Sequence, residues 1–369
     1  MEEEQQDNAT IEEQLAGKTV IRKGVAHLKF RMYMVIIIGF VSMFSLYILS
    51  LTIGAYSISI PEAWDALIEI FSNGFKPQSV PAKVIYYSRM PRSIAVILVG
   101  AGLAVAGAVM QALIRNPLVD PYVTGVSSGA SFGVVLFTIG GATISSSIIS
   151  TTYIIPVVAC VGAVGAFLIT MLVAESSGGR AMSYVLGGSI IAMGLSAGTT
   201  LIKALNVTEL QDIASWLFGS FASIRWEQTY VIAIPIIFIL VLLMYFARSL
   251  NMMLLGEEQA QYLGMDARRF KMWMMITTAV LTAFCVAFCG VIGFVGLIVP
   301  HTTRMIVGGD HRLLLPASMV VGANILLIAD IFCKGAMKTM EFPIGAVISV
   351  IGVPLFVYLM VKEGKKYAM

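Results

Sequence analysis

"RMPRSIAVILVGAGLAVAGAVMQALIR", residues 89–115, holds 22 consecutive uncharged residues, 93–114, between arginines. A helix crossing the hydrocarbon of a bilayer needs about 20 predominantly apolar residues, so this run has the length of one crossing. Working outward, further uncharged runs cover 32–61, 121–174, 181–202, 229–247, 272–303, 313–329 and 342–361. The runs 121–174 and 272–303 are too long for a single crossing. Each holds helix breakers, Gly140, Gly141 and Pro156 in the first and Gly290, Gly293, Gly296 and Pro300 in the second, so each is expected to form two helices. The total is about ten spans at roughly 20 residues each. Composition agrees: 58% of the 369 residues are hydrophobic and only 12% are charged. The mean hydropathy of +0.88 is far from that of a soluble domain. Continuous apolar runs, in place of strict alternation, exclude an outer-membrane barrel and predict an all-α polytopic bundle.

The first thirty residues are acidic, then basic, without the apolar core of a cleavable signal peptide. Residues 1–31 read as a solvated, mobile cytoplasmic extension, and 32–369 as a single transmembrane domain. With an even number of spans both termini share one side. If that side is the cytoplasm, the inner segments carry 16 of the 24 Lys and Arg residues, which favours cytoplasmic termini by the positive-inside rule. Arg89 and Arg92 are then exceptions, outer-face cations that flank Met90 and Pro91 at the start of a span.

Catalytic chemistry finds little support. "EEQLAGKT", residues 12–19, ends like a phosphate-binding loop, but Glu12 stands where its first glycine belongs and no strand precedes it. His27, His301 and His311 are scattered and lack a nucleophile or carboxylate constellation. Cys160, Cys285, Cys289 and Cys333 match no zinc spacing and read as packing residues. The chain is expected to be no enzyme and to hold no metal or cofactor. Energy for any transport is expected from another subunit.

Three stretches carry more information. "QALIRNPLVDPYVTGVSSGASFG", residues 111–133, sets Pro117 and Pro121 around a tight connection. Its patch of Gly125, Ser127, Ser128 and Gly129 suits either a pathway wall or close helix packing. In "SLNMMLLGEEQAQYLGMDARRFK", residues 249–271, Glu257 to Leu263 can form a short helix stopped by Gly264. Asp266 can cap a second short helix near Ala267. Leu255, Ala260, Tyr262 and Leu263 alternate with acids there, a pattern that suits docking of a cytoplasmic partner. The third stretch is "ESSGGRAMS", residues 175–183, a glycine-containing loop.

Taken in order, "RMPRSIAVILVGAGLAVAGAVMQALIRNPLVDPYVTGVSSGA", "LGEEQAQYLGMDARR", "GFVGLIVPHTTRMIVGGDHRLLLP" and "EFPIGAVISVIGVPLFVYLM" resemble the FecCD-type permease family, from about residue 35 to 365. These are membrane subunits of ABC importers for ferric siderophores, haem and cobalamin. The resemblance implies a type II importer permease of about ten helices in a prokaryotic cytoplasmic membrane. It also implies pairing with a second copy or a homologous permease, two ATP-binding cassette subunits that hold ATP and Mg2+, and an extracytoplasmic substrate-binding protein. Lipid surrounds the chain and no nucleic acid is involved. The resemblance makes Arg89, Arg92 and Lys334 sockets for acids of the binding protein. Lys334 stands where arginine is common, so it keeps the charge and loses the fork. Glu257, Glu258, Ala260, Leu263 and Gly264 resemble the ATPase-coupling element. Asn116 and Leu118 match a cytoplasmic gate, with Ser183 near a second one. Asp330 and Glu341 are expected to anchor local backbone. A ferric siderophore is the favoured cargo, with cobalamin or haem as alternatives and an ion-coupled secondary transporter further behind.

Overall fold

The computed structural model describes residues 2–140, 151–205, 216–336 and 341–367, and these are helical with short connections. Helix α1 spans Glu2–Thr52, so the N-terminal extension, expected as a mobile tail, is instead helical and runs unbroken into the first span, Ala26–Thr52. That span ends earlier than the uncharged run to residue 61 suggested. The shortfall is filled by α2, Ile60–Ser72, an amphipathic helix started by a reciprocal cap. Glu62 N–H donates to Ser59 Oγ at 3.4 Å while Ser59 N–H donates to Glu62 Oε2 at 2.8 Å. The Ser59 backbone N–H and hydroxyl hold the Glu62 carboxyl below its ordinary range. The S-x-x-E spacing with Pro61 was a legible start signal that the span count passed over.

Next comes α3, Val80–Val84, then a π-helical turn at Ile85–Arg89 that leads directly into α4, Met90–Ile114. Pro91 explains the break in register. In the π register its nitrogen would face the Tyr86 carbonyl, but proline has no N–H to give. Trp226 Nε1 donates to that carbonyl instead, at 2.7 Å.

The remaining helices are α5 Val126–Gly140, α6 Thr151–Ser176, α7 Ala181–Leu205, α8 Trp226–Tyr245, α9 Ala247–Leu254, α10 Glu257–Tyr262, α11 Ala267–Cys289, α12 Val295–Val307, α13 His311–Gly335 and α14 Ile344–Tyr367. Among the described residues seven helices are long and apolar enough to cross a membrane. Three shorter apolar ones lie at Val126–Ile139, Val295–Val307 and Ile344–Tyr358, which agrees with about ten spans. Gly290, at φ +72°, does end α11. By contrast Pro156, Gly296 and Pro300 lie inside α6 and α12, so they do not mark breaks. The expected break between α5 and α6 lies outside the described residues.

Helix α4 is the hub. Nearly all of it is buried, and it packs against α8, α11, α12 and α13, while α5, α6 and α7 form a second group joined through α11. Its small residues permit this crowding. A methyl on Gly100 would meet the Gly322 carbonyl at 2.5 Å, and one on Gly107 would meet the Gly296 carbonyl at 1.7 Å.

After α4 the chain turns back inward. A methyl on Gly296 would meet Pro121 Cδ at 2.9 Å and the Leu103 carbonyl at 3.1 Å. Leu103 lies eleven residues before the end of α4, or ~16 Å along the helix axis. The segment 115–125 is therefore re-entrant to mid-depth. Three of its polar groups are paired within the segment: Leu118 N–H donates to Asn116 Oδ1 at 2.9 Å, Tyr122 N–H to Asp120 Oδ1 at 2.9 Å and Thr124 Oγ1 to the Pro121 carbonyl at 2.7 Å.

Candidate functional site

Two polar constellations sit at opposite ends of α4. At its start, the π turn and the first turn of α4 present Arg89 and Arg92 to α1 and α13. Arg92 donates through Nε and Nη2 to Asp330 Oδ1, at 2.9 and 2.8 Å, and through Nη1 to Glu341 Oε1 at 2.8 Å. Lys334, one turn beyond Asp330, pairs with Asp330 Oδ2 at 3.0 Å and donates to Ser50 Oγ at 2.7 Å. Ser50 Oγ is also 2.6 Å from Ser93 Oγ. Arg89 donates through Nη1 to the Leu51 carbonyl at 2.6 Å, and through Nη2 to the Tyr56 carbonyl in the loop after α1.

The structure thus brings Arg89, Arg92 and Lys334 together, but at 5%, 7% and 6% exposure they are not the open sockets the sequence suggested. A cation at the start of a membrane helix is held by partners because desolvating it alone is costly. Asp330 was likewise expected to anchor backbone, and instead it binds two cations. Only Glu341, whose side chain is 40% exposed, faces outward.

The other end holds the knob. Gly256, at φ +113°, opens α10, and Gly264, at φ +87°, closes it. Asp266 Oδ1 then accepts from Arg269 N–H at 3.1 Å. The expected helix–glycine–helix arrangement is present, but the second helix is no short piece: it is the start of α11. Ala260 is buried, while Leu255, Tyr262 and Leu263 are exposed, leaving an apolar rim on a charged knob.

One residue that ties this end together was not singled out in the sequence. Lys271, 2% exposed, donates from Nζ to Glu257 Oε1 and to the Gly179 carbonyl, both at 2.8 Å, and lies 5.0 Å from the Tyr184 ring centre. Glu175 accepts from Arg268 Nη2 at 2.6 Å and from the Tyr184 hydroxyl. Knob and 175–183 loop are therefore one unit. They border a cleft of about 700 Å³ lined by Arg115, Arg180, Gly256, Glu257 and Glu258 among others. The signal for Lys271 was its position five residues past the Asp266 cap, where a helix that continues buries the lysine.

The residues expected along a path divide. Leu118 is exposed, and Asn116, Ser127, Ser128 and Ser183 are half-buried. Ser183 N–H donates to the Arg180 carbonyl at 2.9 Å and braces the 175–183 turn. Gly125 and Gly129 are corrected to packing positions. A methyl on Gly129 would meet the Gly162 carbonyl at 2.3 Å, and Gly125, at φ +86°, faces Thr170 and Gly188. Among the described residues no group of three or more His, Cys, Asp or Glu side chains gathers as a metal site.

A profile of the FecCD transport family matches residues 37–362. The iron(3+)-hydroxamate import system permease protein FhuB of Bacillus subtilis is 33% identical over 85% of this chain and 79% of its own. The hemin transport system permease protein HmuU of Yersinia pestis is 33% identical over 85% and 91%. A solved inward-facing structure of an ABC transporter, described as of metal-chelate type, superimposes with a TM-score of 0.77 at 32% identity. That match covers 89% of this chain and 98% of the other.

Proposed function

From a chain that belongs to the FecCD transport family, and is therefore a transport subunit and not a catalytic one, we propose the permease of a binding-protein-dependent importer that carries a ferric siderophore, with haem or cobalamin as alternatives. Two copies, or one copy and a homologous permease, enclose the path. Two ATPase subunits seat on the α10 knob and hydrolyse ATP with Mg2+. A substrate-binding protein delivers cargo at the Arg89, Arg92 and Lys334 end. The membrane is the cytoplasmic membrane of a prokaryote, with both termini inside.

The observation that carries this reading is the knob. A six-residue helix held between two positive-φ glycines and bolted by Lys271 to the neighbouring loop is a rigid lever that exposes Leu255, Tyr262 and Leu263 for a partner. In this reading Asn116 and Leu118, on the re-entrant segment near that end, gate the path. Iron hydroxamate is favoured because FhuB carries that cargo by name.

Native mass spectrometry of the complex, purified with its partner subunits and offered ferric hydroxamate, haem and cobalamin, tests the proposal. Two permease chains with two ATPases and one bound chelate is the expected result. A lone chain that transports without an ATPase would overturn it in favour of an ion-coupled carrier.

A further inference from the structure

The Arg92 guanidinium has two kinds of partner. Asp330 is 1% exposed and holds Nε and Nη2, while its second oxygen is taken by Lys334. Glu341 holds only Nη1, through one oxygen, and its side chain is 40% exposed. Asp330 is thus a fixed counterion inside the bundle, whereas Glu341 reaches in from the rim and makes a single bond. Three cations, Arg89, Arg92 and Lys334, face two acids, so the cluster keeps one uncompensated positive charge even with Glu341 in place. A buried cation that loses one hydrogen-bonded partner is strongly destabilised unless another takes its place.

We infer that Glu341 occupies the position a partner's carboxylate takes at Arg92, so that docking is an exchange of one carboxylate for another and Glu341 opposes it. The inference rests on the docking role proposed for this end. The partner it fits is a protein that presents an exposed Asp or Glu to the rim. Asp330 keeps the guanidinium aimed outward during the exchange, and the fork offers the incoming acid a charge-assisted bond of the same geometry. Glu341 also serves specificity, because a neutral or basic surface cannot displace it without leaving Nη1 unpaired in a desolvated site.

The test measures capture of the cognate substrate-binding protein by the full transporter in nanodiscs, at fixed ionic strength. Glu341→Gln removes the competing charge and is expected to tighten capture about fivefold, mainly through association. Arg92→Lys keeps the buried charge but loses the fork, and is expected to weaken capture in both backgrounds. If Arg92→Lys weakens capture and Glu341→Gln leaves it unchanged or weaker, docking stands and the exchange is overturned. If neither variant alters capture, the docking role itself fails and the exchange falls with it. Glu341 lies on the rim, so Glu341→Gln is expected to assemble normally, and co-elution with the ATPase checks this.

Discussion

At the scale of single residues, what separates a functional charge from a solvated one here is what it touches. Lys271 is sealed between Glu257, the Gly179 carbonyl and the Tyr184 ring, and the sequence alone showed only one basic residue among several before a span. Lys271→Met leaves both acceptors without their donor, and a hydrogen bond to a charged group contributes about 1.5–3 kcal/mol. The expected outcome is a lowered thermal midpoint together with ATPase activity no longer stimulated by the binding protein. Wild-type stimulation in a folded variant would remove Lys271 from the lever. Asp310 gives a pH-dependent case. The Arg312 guanidinium, then Asn251 and the Arg312 backbone N–H, hold its carboxyl down at about 2. A depressed carboxylate stabilises the fold above its unfolded value near 4, and that contribution disappears as pH falls from about 4 towards 2. Screening at this rim position limits the effect to about 1 kcal/mol. Thermal scans in detergent from pH 6 to pH 3 should therefore fall less steeply for Asp310→Asn, which starts from a lower midpoint at pH 6.

At the scale of elements, glycine separates close packing from mere permissiveness, and the contrast can be measured. Gly107→Ala drives a methyl into the Gly296 backbone, where no side chain can move aside, so the α4–α12 contact must open and the thermal midpoint should drop by several degrees. Gly165→Ala, inside α6, meets nothing within 4 Å and should be neutral or gain up to about 1 kcal/mol. Equal effects from both would refute the close-packing role of Gly107. Gly264→Pro acts through the knob: φ +87° is closed to proline, so α10 should lose its stop and the ATPase should copurify poorly. Much of this level was legible. Span number followed from charge-free length, and the Gly264 and Asp266 boundaries followed from cap chemistry. The helix α2 went unread because its capping box lies beside a long apolar run that already accounted for the residues. The burial of Arg89 and Arg92 could not be read either. For Arg92 it depends on Asp330 and Glu341, 238 and 249 residues away in the chain and brought close by the packing of α4 on α13, and for Arg89 on the Leu51 and Tyr56 carbonyls at the end of α1 and in the loop after it.

At the scale of the whole molecule, the charged clusters are pushed to the two ends of α4, and the hub between them is largely apolar, with a few polar groups such as Asn324, whose side-chain amide donates to the Gly39 carbonyl at 2.9 Å. A helix of 25 residues separates the ends by ~37 Å, a separation at which two unit charges interact by about 0.4 kcal/mol at an effective dielectric of about 20. Charge at one end therefore acts only weakly on the other through space, and assembly at each should be independent. Arg92→Lys is expected to weaken capture of the binding protein and leave copurification of the ATPase intact, whereas Glu257→Lys, which sets two cations against each other at Lys271, should do the reverse. The double variant should show both losses with additive free energies, within the roughly 0.3–0.5 kcal/mol usual for distant sites. Transport is a different quantity, because it needs a message to pass between the ends, and α4 is one continuous helix from Arg92 to the Arg115–Gly256 corner. A double-mutant cycle on binding-protein-stimulated ATP hydrolysis should therefore be non-additive, with either single variant already removing most of the stimulation. Additive losses in stimulation would mean that the two ends act without exchanging a signal, and α4 would then be scaffold only.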